Sequence, residues 1–389
     1  MRNFRKRATT SHHYAIFSVR FDPFVGGVES FSLSLSKELV KQGHRVTVVT
    51  KRIDDSPEAE TTDDGIDVVR LPTLSLVNDR LPLSRRNKRH YELLDLVGSQ
   101  GVTRVLVNNR FYPHSIDGLK FAASIGAPAV MLDHGTAYLT LGSPLVDWAI
   151  KKYEHIMTAR TKRFHPTYAG ISQKSADWLG QFGIKTSIVI PNAIDAESFR
   201  SSSSGRNYRD ELRIQRGTTM ITFVGRLTPE KGGDVLVRAA KRFEGEASFV
   251  LAGTGTLGKE LESEAGPNVH FLGLVNHRDL SALLQTSDAF CLPTRSEGFC
   301  TSLLEAAACG VPAIIPNVGG VQEVISNSDC GIVIDGRSEE ALVAGIEKAL
   351  ALGDAGRQAM GENARQSVMH NCSWPAATQA LDRAFLSAV

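Results

Sequence analysis

What the chain lacks narrows its class first. None of its 389 residues falls in a window approaching the roughly 18 to 20 apolar residues that cross a bilayer, so no membrane-spanning helix is expected. The basic start, Arg2, Arg5, Lys6 and Arg7, has the charge of a secretory leader. The apolar run after it, Tyr14 to Val19, is too short for one, and Asp22 and a Gly-rich turn follow in place of a cleavage site. Cysteine is scarce as well. Cys291, Cys300, Cys309, Cys330 and Cys372 are odd in number and show neither CxxC nor metal-ligand spacing, which argues against a disulfide framework or a zinc module. They read as reduced thiols of a cytoplasmic protein.

Net charge is only +2, but it is unevenly spread. Residues 1–195 hold 26 Lys and Arg against 19 Asp and Glu, leaving 18 against 23 for the rest, so the N-terminal half is the one suited to an anionic partner. The length implies two cores, and a hydrophobic fraction of 42% can fill them. Short β-branched runs alternate with amphipathic stretches throughout, the pattern of parallel sheets covered by helices. One series is Tyr14–Val19, Arg45–Thr50, Ile66–Leu71, Val105–Val107, Ala129–Leu132 and Tyr168–Ile171. The second is Met220–Val224, Ser248–Ala252, Val269–Leu272, Ala289–Leu292, Ala313–Ile315 and Gly331–Ile334.

Two doubly wound α/β domains follow, over 1–195 and 196–373, with a join near Pro191 to Arg209 where Pro, Ser and Gly interrupt the periodicity. Residues 374–389 are expected to form a helix that packs back on the first domain. Ligands of such sheets bind at the carboxyl ends of the strands, so the chemistry is sought in those loops.

After the strand Ile221–Val224 comes Gly225-Arg226-Leu227-Thr228-Pro229-Glu230-Lys231-Gly232-Gly233, then a helical run from about Asp234. A guanidinium and an ammonium beside glycines and a helix N-terminus suit a diphosphate; ordinary surface charges at a βα turn are the alternative. Gly253-Thr254-Gly255-Thr256-Leu257-Gly258 is a literal GxGxxG. Its next strand ends in Gly273 and Leu274, with no acid for a ribose, so a tight turn beside a ligand is preferred over a nicotinamide site. In Pro293-Thr294-Arg295-Ser296-Glu297-Gly298-Phe299-Cys300-Thr301-Ser302-Leu303-Leu304-Glu305, a strand delivers Glu297 to a loop and a helix begins near Ser302. The N–H groups around Phe299 to Ser302 can take phosphate or sugar oxygens, and the carboxylates can accept sugar hydroxyls. Ser302 and Glu305 also have capping-box spacing, which would give Glu305 a purely local duty.

Glu297 and Glu305, with Gly225-Arg226 and Lys231-Gly232, resemble the donor signature of glycosyltransferase family 4. Gly26-Gly27-Val28-Glu29, Pro191-Asn192-Ala193-Ile194-Asp195 and Gly319-Gly320-Val321-Gln322-Glu323-Val324 extend the resemblance over nearly the whole chain. It implies the GT-B fold and transfer from a nucleotide sugar with retention of configuration. Arg226 and Lys231 would neutralise the diphosphate, Glu305 would bind the ribose, and backbone at Leu274 and Val275 would meet the base. Glu297 would lie against the sugar with Gly298, Phe299, Cys300 and Thr301 nearby. His134, in Asp133-His134-Gly135-Thr136, would stand near the transferred sugar. Cys300 departs from the family's usual glycine, and a side chain there is expected to narrow the sugar pocket.

Gly26 and Gly27 let the backbone approach donor phosphate or acceptor, or simply make a tight turn. The chain has no DxD motif, so positive charge at the leaving group falls to Arg226 and Lys231, no metal or other cofactor is expected, and activity should survive chelation. From Arg80 to Arg163 there are 13 basic and 6 acidic residues, gathered at Arg80, Arg85, Arg86, Lys88 and Arg89 and at Lys151, Lys152, Arg160, Lys162 and Arg163. These suit an anionic membrane carrying a lipid-linked hydroxyl acceptor, on the inner face of the cytoplasmic membrane, or are merely a solvated helix face. Nucleic acid is not expected, since aromatics are not interleaved with the charges. A non-catalytic sugar-nucleotide-binding protein and a sugar-nucleotide epimerase are the competing readings.

Overall fold

The computed structural model describes residues 11–24, 26–52, 56–76, 81–140 and 142–387. The basic start from Arg2 to Arg7, Arg80 and the last two residues therefore lie outside the described residues. The first half contains β1 (His13–Phe17), β2 (Arg45–Lys51), β3 (Ala59–Thr61), β4 (Asp67–Leu71), β5 (Thr73–Leu76), β6 (Leu81–Ser84), β7 (Arg104–Asn108), β8 (Ala129–Asp133) and β9 (Thr167–Gly170). The second contains β10 (Thr219–Val224), β11 (Ala247–Ala252), β12 (Val269–Gly273), β13 (Ala289–Cys291), β14 (Ala313–Pro316) and β15 (Ile332–Ile334).

All twelve β-branched runs are strands, and helices separate them except between β2 and β4, where β3 intervenes. The first sheet runs β3, β4, β2, β1, β7, β8, β9, and the second β12, β11, β10, β13, β14, β15. Leaving aside β3, which pairs antiparallel with β4, each domain has six parallel strands in the order 3-2-1-4-5-6. This is the doubly wound Rossmann order, whose ligand crevice opens beyond the carboxyl ends of its first and fourth strands. In these domains they are β1 and β7, and β10 and β13. Strands covered on both faces must be apolar along their whole length, and β1 is buried from end to end. The β3 strand and the β5–β6 hairpin carry no such apolar signal; β3 is fully exposed.

The chain passes between the cores twice. Ile190 belongs to the core of the first sheet and Ala196 to that of the second. It returns between Cys372, in the second core, and Trp374, which packs on the first. The two crossings are bonded, since the Ile194 N–H donates to the Cys372 carbonyl at 2.9 Å. From there the helix Trp374–Leu386 lays Ala380, Leu381, Ala384 and Phe385 on the first core. Burying Leu381 and Phe385 favours this seat by about 1.5–3 kcal/mol each. The Tyr14 hydroxyl donates to Asp382 Oδ1 at 2.7 Å, and Arg104 forms an ion pair with the same carboxylate.

Candidate functional site

On the second-domain side, the loop after β10 is bound to the loop after β11 by their backbones. The Gly225 N–H donates to the Ala252 carbonyl (3.0 Å), Leu227 N–H to Thr254 (2.9 Å), and Leu257 N–H back to Leu227 (2.9 Å). A Cβ on Gly253 would lie 1.9 Å from the Gly225 carbonyl oxygen, and one on Gly255 2.2 Å from that of Leu227. The space these two glycines leave is thus filled by the neighbouring loop. Their contribution to a ligand is indirect: they fix the peptide plane that carries Arg226, whose side chain is exposed.

Lys231 reaches the other way. Its ammonium pairs with the Glu297 carboxylate, and both side chains are largely buried. The backbone supports this pair, because the Glu230 carbonyl accepts from the Arg295 N–H (2.7 Å) and the Thr294 hydroxyl (3.1 Å). Lys231 and Glu297, 66 residues apart, therefore form one charged unit at the lip of the second sheet.

The loop after Glu297 touches the first domain. A Cβ on Gly298 would stand 1.9 Å from the His134 carbonyl oxygen, so only glycine lets the two loops meet. The Thr136 hydroxyl donates to the Glu297 carbonyl at 2.7 Å, and the Ser172 hydroxyl to that of Gly298 at 3.0 Å. The Gln173 N–H donates to Glu323 at 2.6 Å, and Phe299 packs against both cores. His134, Gly298, Glu297 and Lys231 are in this way brought together from both domains.

The state of His134 follows from its neighbours. Its Nε2 is 2.9 Å from Asn108 Oδ1, while Asn108 Nδ2 donates to Ser32 Oγ (2.9 Å), whose own proton goes to the Val28 carbonyl (2.7 Å). The direction of this chain assigns the imidazole proton to Nε2 and leaves Nδ1 with a lone pair. Desolvation pushes His134 down to about 3, so the ring is neutral at physiological pH. Beneath it, Arg110 bridges Asp133 and Glu154, all three buried. Burial pushes Asp133 up to about 6, outweighing the Arg110 charge.

Glu305 lies in the helix Thr301–Ala308, which is capped by Cys300 without a side-chain bond. Ser302 is inside that helix, so no capping box forms. Burial pushes Glu305 up to about 7. It faces a cavity of about 340 Å³ between the domains, lined also by Gly27, Phe31, Asn192, His277 and Thr301. A Cβ on Gly27 would meet nothing within 4 Å, so the fold does not require glycine there; beside Gly26, the same position is taken by the Glu29 carboxylate. The helix they begin runs Gly27–Lys41.

Two expectations need correcting. The Cys300 side chain is turned into the second core, 2% exposed and 3.5 Å from Ser302 Oγ, so it takes volume from the core and none from the cleft. Lys162 does not join the basic surface, because its ammonium donates to the Phe182 carbonyl. Leu274 is 83% exposed beyond β12 and Val275 packs inward on its own domain. Asn108, Thr136 and Ser172 were not anticipated. Asn108 had a legible signal, since it ends a parallel strand just as Asp133, before His134, does.

Residues 25–198 match the family model described as Glycosyltransferase Family 4, and residues 205–367 that described as Glycosyl transferases group 1. The two matches take in both domains, and the chain belongs to glycosyltransferase family 4, with the two-domain GT-B fold. An uncharacterised glycosyltransferase of Methanocaldococcus jannaschii is 28% identical over 365 residues, covering 90% of this chain and 91% of the relative. A phosphatidylinositol N-acetylglucosaminyltransferase chain of Homo sapiens is 26% identical over 364 residues, covering 88% of this chain and 69% of the human one. Among solved structures, Anabaena HepE in complex with UDP superposes with a TM-score of 0.72 at 17% identity, covering 98% of this chain and all of that one.

Proposed function

We propose that this glycosyltransferase moves a sugar from a nucleoside-diphosphate sugar to a hydroxyl of a lipid-linked acceptor, with retention of configuration and without a metal. The observation that carries the reading is the junction of the His134 backbone and Gly298 beside the Lys231–Glu297 pair, which brings the loop bearing a neutral histidine from one domain to the loop bearing a paired carboxylate and cation in the other. The UDP complex of HepE supports a nucleotide in a cleft of this shape, and the human relative's name supports a lipid acceptor.

In this reading Arg226 and Lys231 stabilise the departing diphosphate, which is where negative charge grows in the transition state. Glu297 holds the Lys231 ammonium in place and accepts sugar hydroxyls. His134 offers the Nδ1 lone pair to a sugar hydroxyl, its tautomer set by Asn108. Glu305 accepts from the ribose, and the open backbone at Gly27 admits the diphosphate to a helix N-terminus. The sugar C1–O bond to phosphate breaks, the C1–O bond to the acceptor forms on the same face, and the acceptor's proton passes to the leaving phosphate oxygen.

The test is incubation with UDP-, GDP- and ADP-sugars and a lipid acceptor, in buffer and with chelator. Nucleoside diphosphate release with a glycosylated product of unchanged anomeric configuration supports the proposal, and loss of activity with chelator removes its metal-free part. An isomerised donor would reveal an epimerase, and binding without product a non-catalytic protein.

A further inference from the structure

The two basic segments of the first domain have different fates. In the first, Arg86 pairs with Asp117, Arg89 with Glu58 and Glu92, and Lys88 with Glu92. In the second, Lys151, Lys152, Arg160 and Arg163 form no ion pair among the described residues. The acids of their helix, Pro144–Lys162, are engaged elsewhere: Glu154 is buried on Arg110, and Asp147 accepts from Thr140. With four cations against the one carboxylate of Asp147 that is not held by Arg110, this segment keeps a net positive charge at the surface.

The same helix exposes apolar side chains that the core did not claim. Its buried residues are Glu154, Met157, Thr158 and Thr161. On the opposite face, at three- and four-residue spacing, lie Leu145, Trp148, Lys152 and Ile156. Leu145 is 83% exposed, Trp148 62% and Ile156 54%. Lys152 lies over the Trp148 ring at 5.9 Å. An aromatic and aliphatic ridge edged by cations is the composition of a helix that lies in a lipid interface. No helix of the described residues is long and apolar enough to cross a membrane.

Arg160 and Arg163, at the end of the ridge, also line a cavity of about 590 Å³ with Arg86, Lys120, Tyr153 and Ser84. Lys120 likewise forms no ion pair among the described residues. Two of the lining residues, Tyr153 and Ser84, have hydroxyl oxygens that are buried without a hydrogen-bond partner. Burial of unpaired hydroxyls costs stability, and here they stand among donors suited to phosphate oxygens. Ridge and cavity are continuous through Arg160 and Arg163.

We infer that this face docks on an anionic phospholipid bilayer, the ridge of Leu145, Trp148 and Ile156 entering the interface and the cavity seating a lipid phosphate headgroup. The inference deepens the proposed lipid-linked acceptor by naming the surface that brings the enzyme to it. Nucleic acid is the poorer occupant, because Trp148 is set among aliphatic side chains and not among stacking aromatics.

The test is sedimentation of the full chain with vesicles of phosphatidylcholine alone and of equimolar phosphatidylcholine and phosphatidylglycerol, at low and high salt. Binding is expected to the anionic vesicles only, falling as salt rises. Reversal of Lys151, Lys152, Arg160 and Arg163 to Glu should lower partitioning more than about a hundredfold. Leu145→Ser with Trp148→Ser and Ile156→Ser should lower it about tenfold or more. Reversal of the exposed Lys241 and Arg242 of the second domain should leave it unchanged. Brominated lipid should quench the wild type and not Trp148→Phe, while Tyr153→Phe, which keeps the ring, should weaken binding if the cavity holds a headgroup. Unaltered binding in the ridge or charge variants overturns the inference, as does equal binding of wild type and ridge variant to RNA and to vesicles. Nucleoside-diphosphate release from the donor sugars, followed in parallel, separates the two readings: a chain that docks but never cleaves a donor fails as a transferase and stands as a docking protein.

Discussion

The two domains share one strand order but hold their cleft-facing loops by different means. In the second domain the loops after β10, β11 and β13 are joined by peptide groups, with Gly253 and Gly255 set against Gly225 and Leu227. In the first, side chains carry the load: Asn108 holds His134, and Arg110 holds Asp133 and Glu154. A cradle of peptide groups presents fixed dipoles whatever the pH, which suits a diphosphate. A lattice of buried side chains sets protonation states, which suits selective contact with sugar and acceptor. The junction at Gly298 is where the two styles meet.

The largest expected effect breaks the second-domain half. Arg226→Ala with Lys231→Ala removes two charge-assisted contacts of about 1.5–3 kcal/mol each and should weaken nucleoside-diphosphate binding about a thousandfold by calorimetry. The fold should persist by circular dichroism, and unchanged affinity would place the phosphates elsewhere. Next comes the junction itself. Gly298→Ala drives a Cβ into the His134 carbonyl and should lower kcat/KM about a hundredfold through misplacement of the reacting groups. Full activity in that variant would mean that the contact is not used in turnover.

A third, smaller effect concerns charge state. Glu305 titrates near 7 in the folded chain against an ordinary 4.5, so the folded state binds the extra proton between those values. Its contribution to stability is present below about 4.5 and is lost as pH rises through about 7. Donor affinity should move the opposite way, rising about tenfold from pH 6 to 8 as the carboxylate forms and accepts the ribose hydroxyl. Glu305→Gln should flatten both profiles; a variant that keeps the affinity profile would clear Glu305 of that role. The smallest effect sharpens the contrast between glycines. Gly27→Ala meets no neighbour and should leave Tm unchanged while weakening donor binding a few-fold, whereas Gly253→Ala should lower stability by about 3 kcal/mol or more.

Much of the fold was legible because parallel strands buried on both faces must be apolar throughout. The short strands β3, β5 and β6 were missed, since an exposed three-residue edge or a hairpin containing Pro82 has no such constraint. At the site, Arg226, Lys231, Glu297 and Glu305 could be singled out from residue type and strand-end position. Their partners could not. Nothing local ties Lys231 to Glu297, Thr136 to Glu297 or His134 to Asn108, and local spacing suggested a capping box at Ser302 that does not exist.

What the sequence by itself determined is the alternation of strands and helices, the two cores, the family and the loops in which chemistry is to be sought, because each is written in short-range pattern and residue type. Only the tertiary structure decided which atoms those loops face. It turned Cys300 into the core, filled the space beside Gly253 with backbone, pressed Gly298 onto His134 and left Lys151, Lys152, Arg160 and Arg163 without an ion pair among the described residues. Each outcome depends on residues tens to hundreds of positions apart, where packing and burial, not local propensity, choose among the partners.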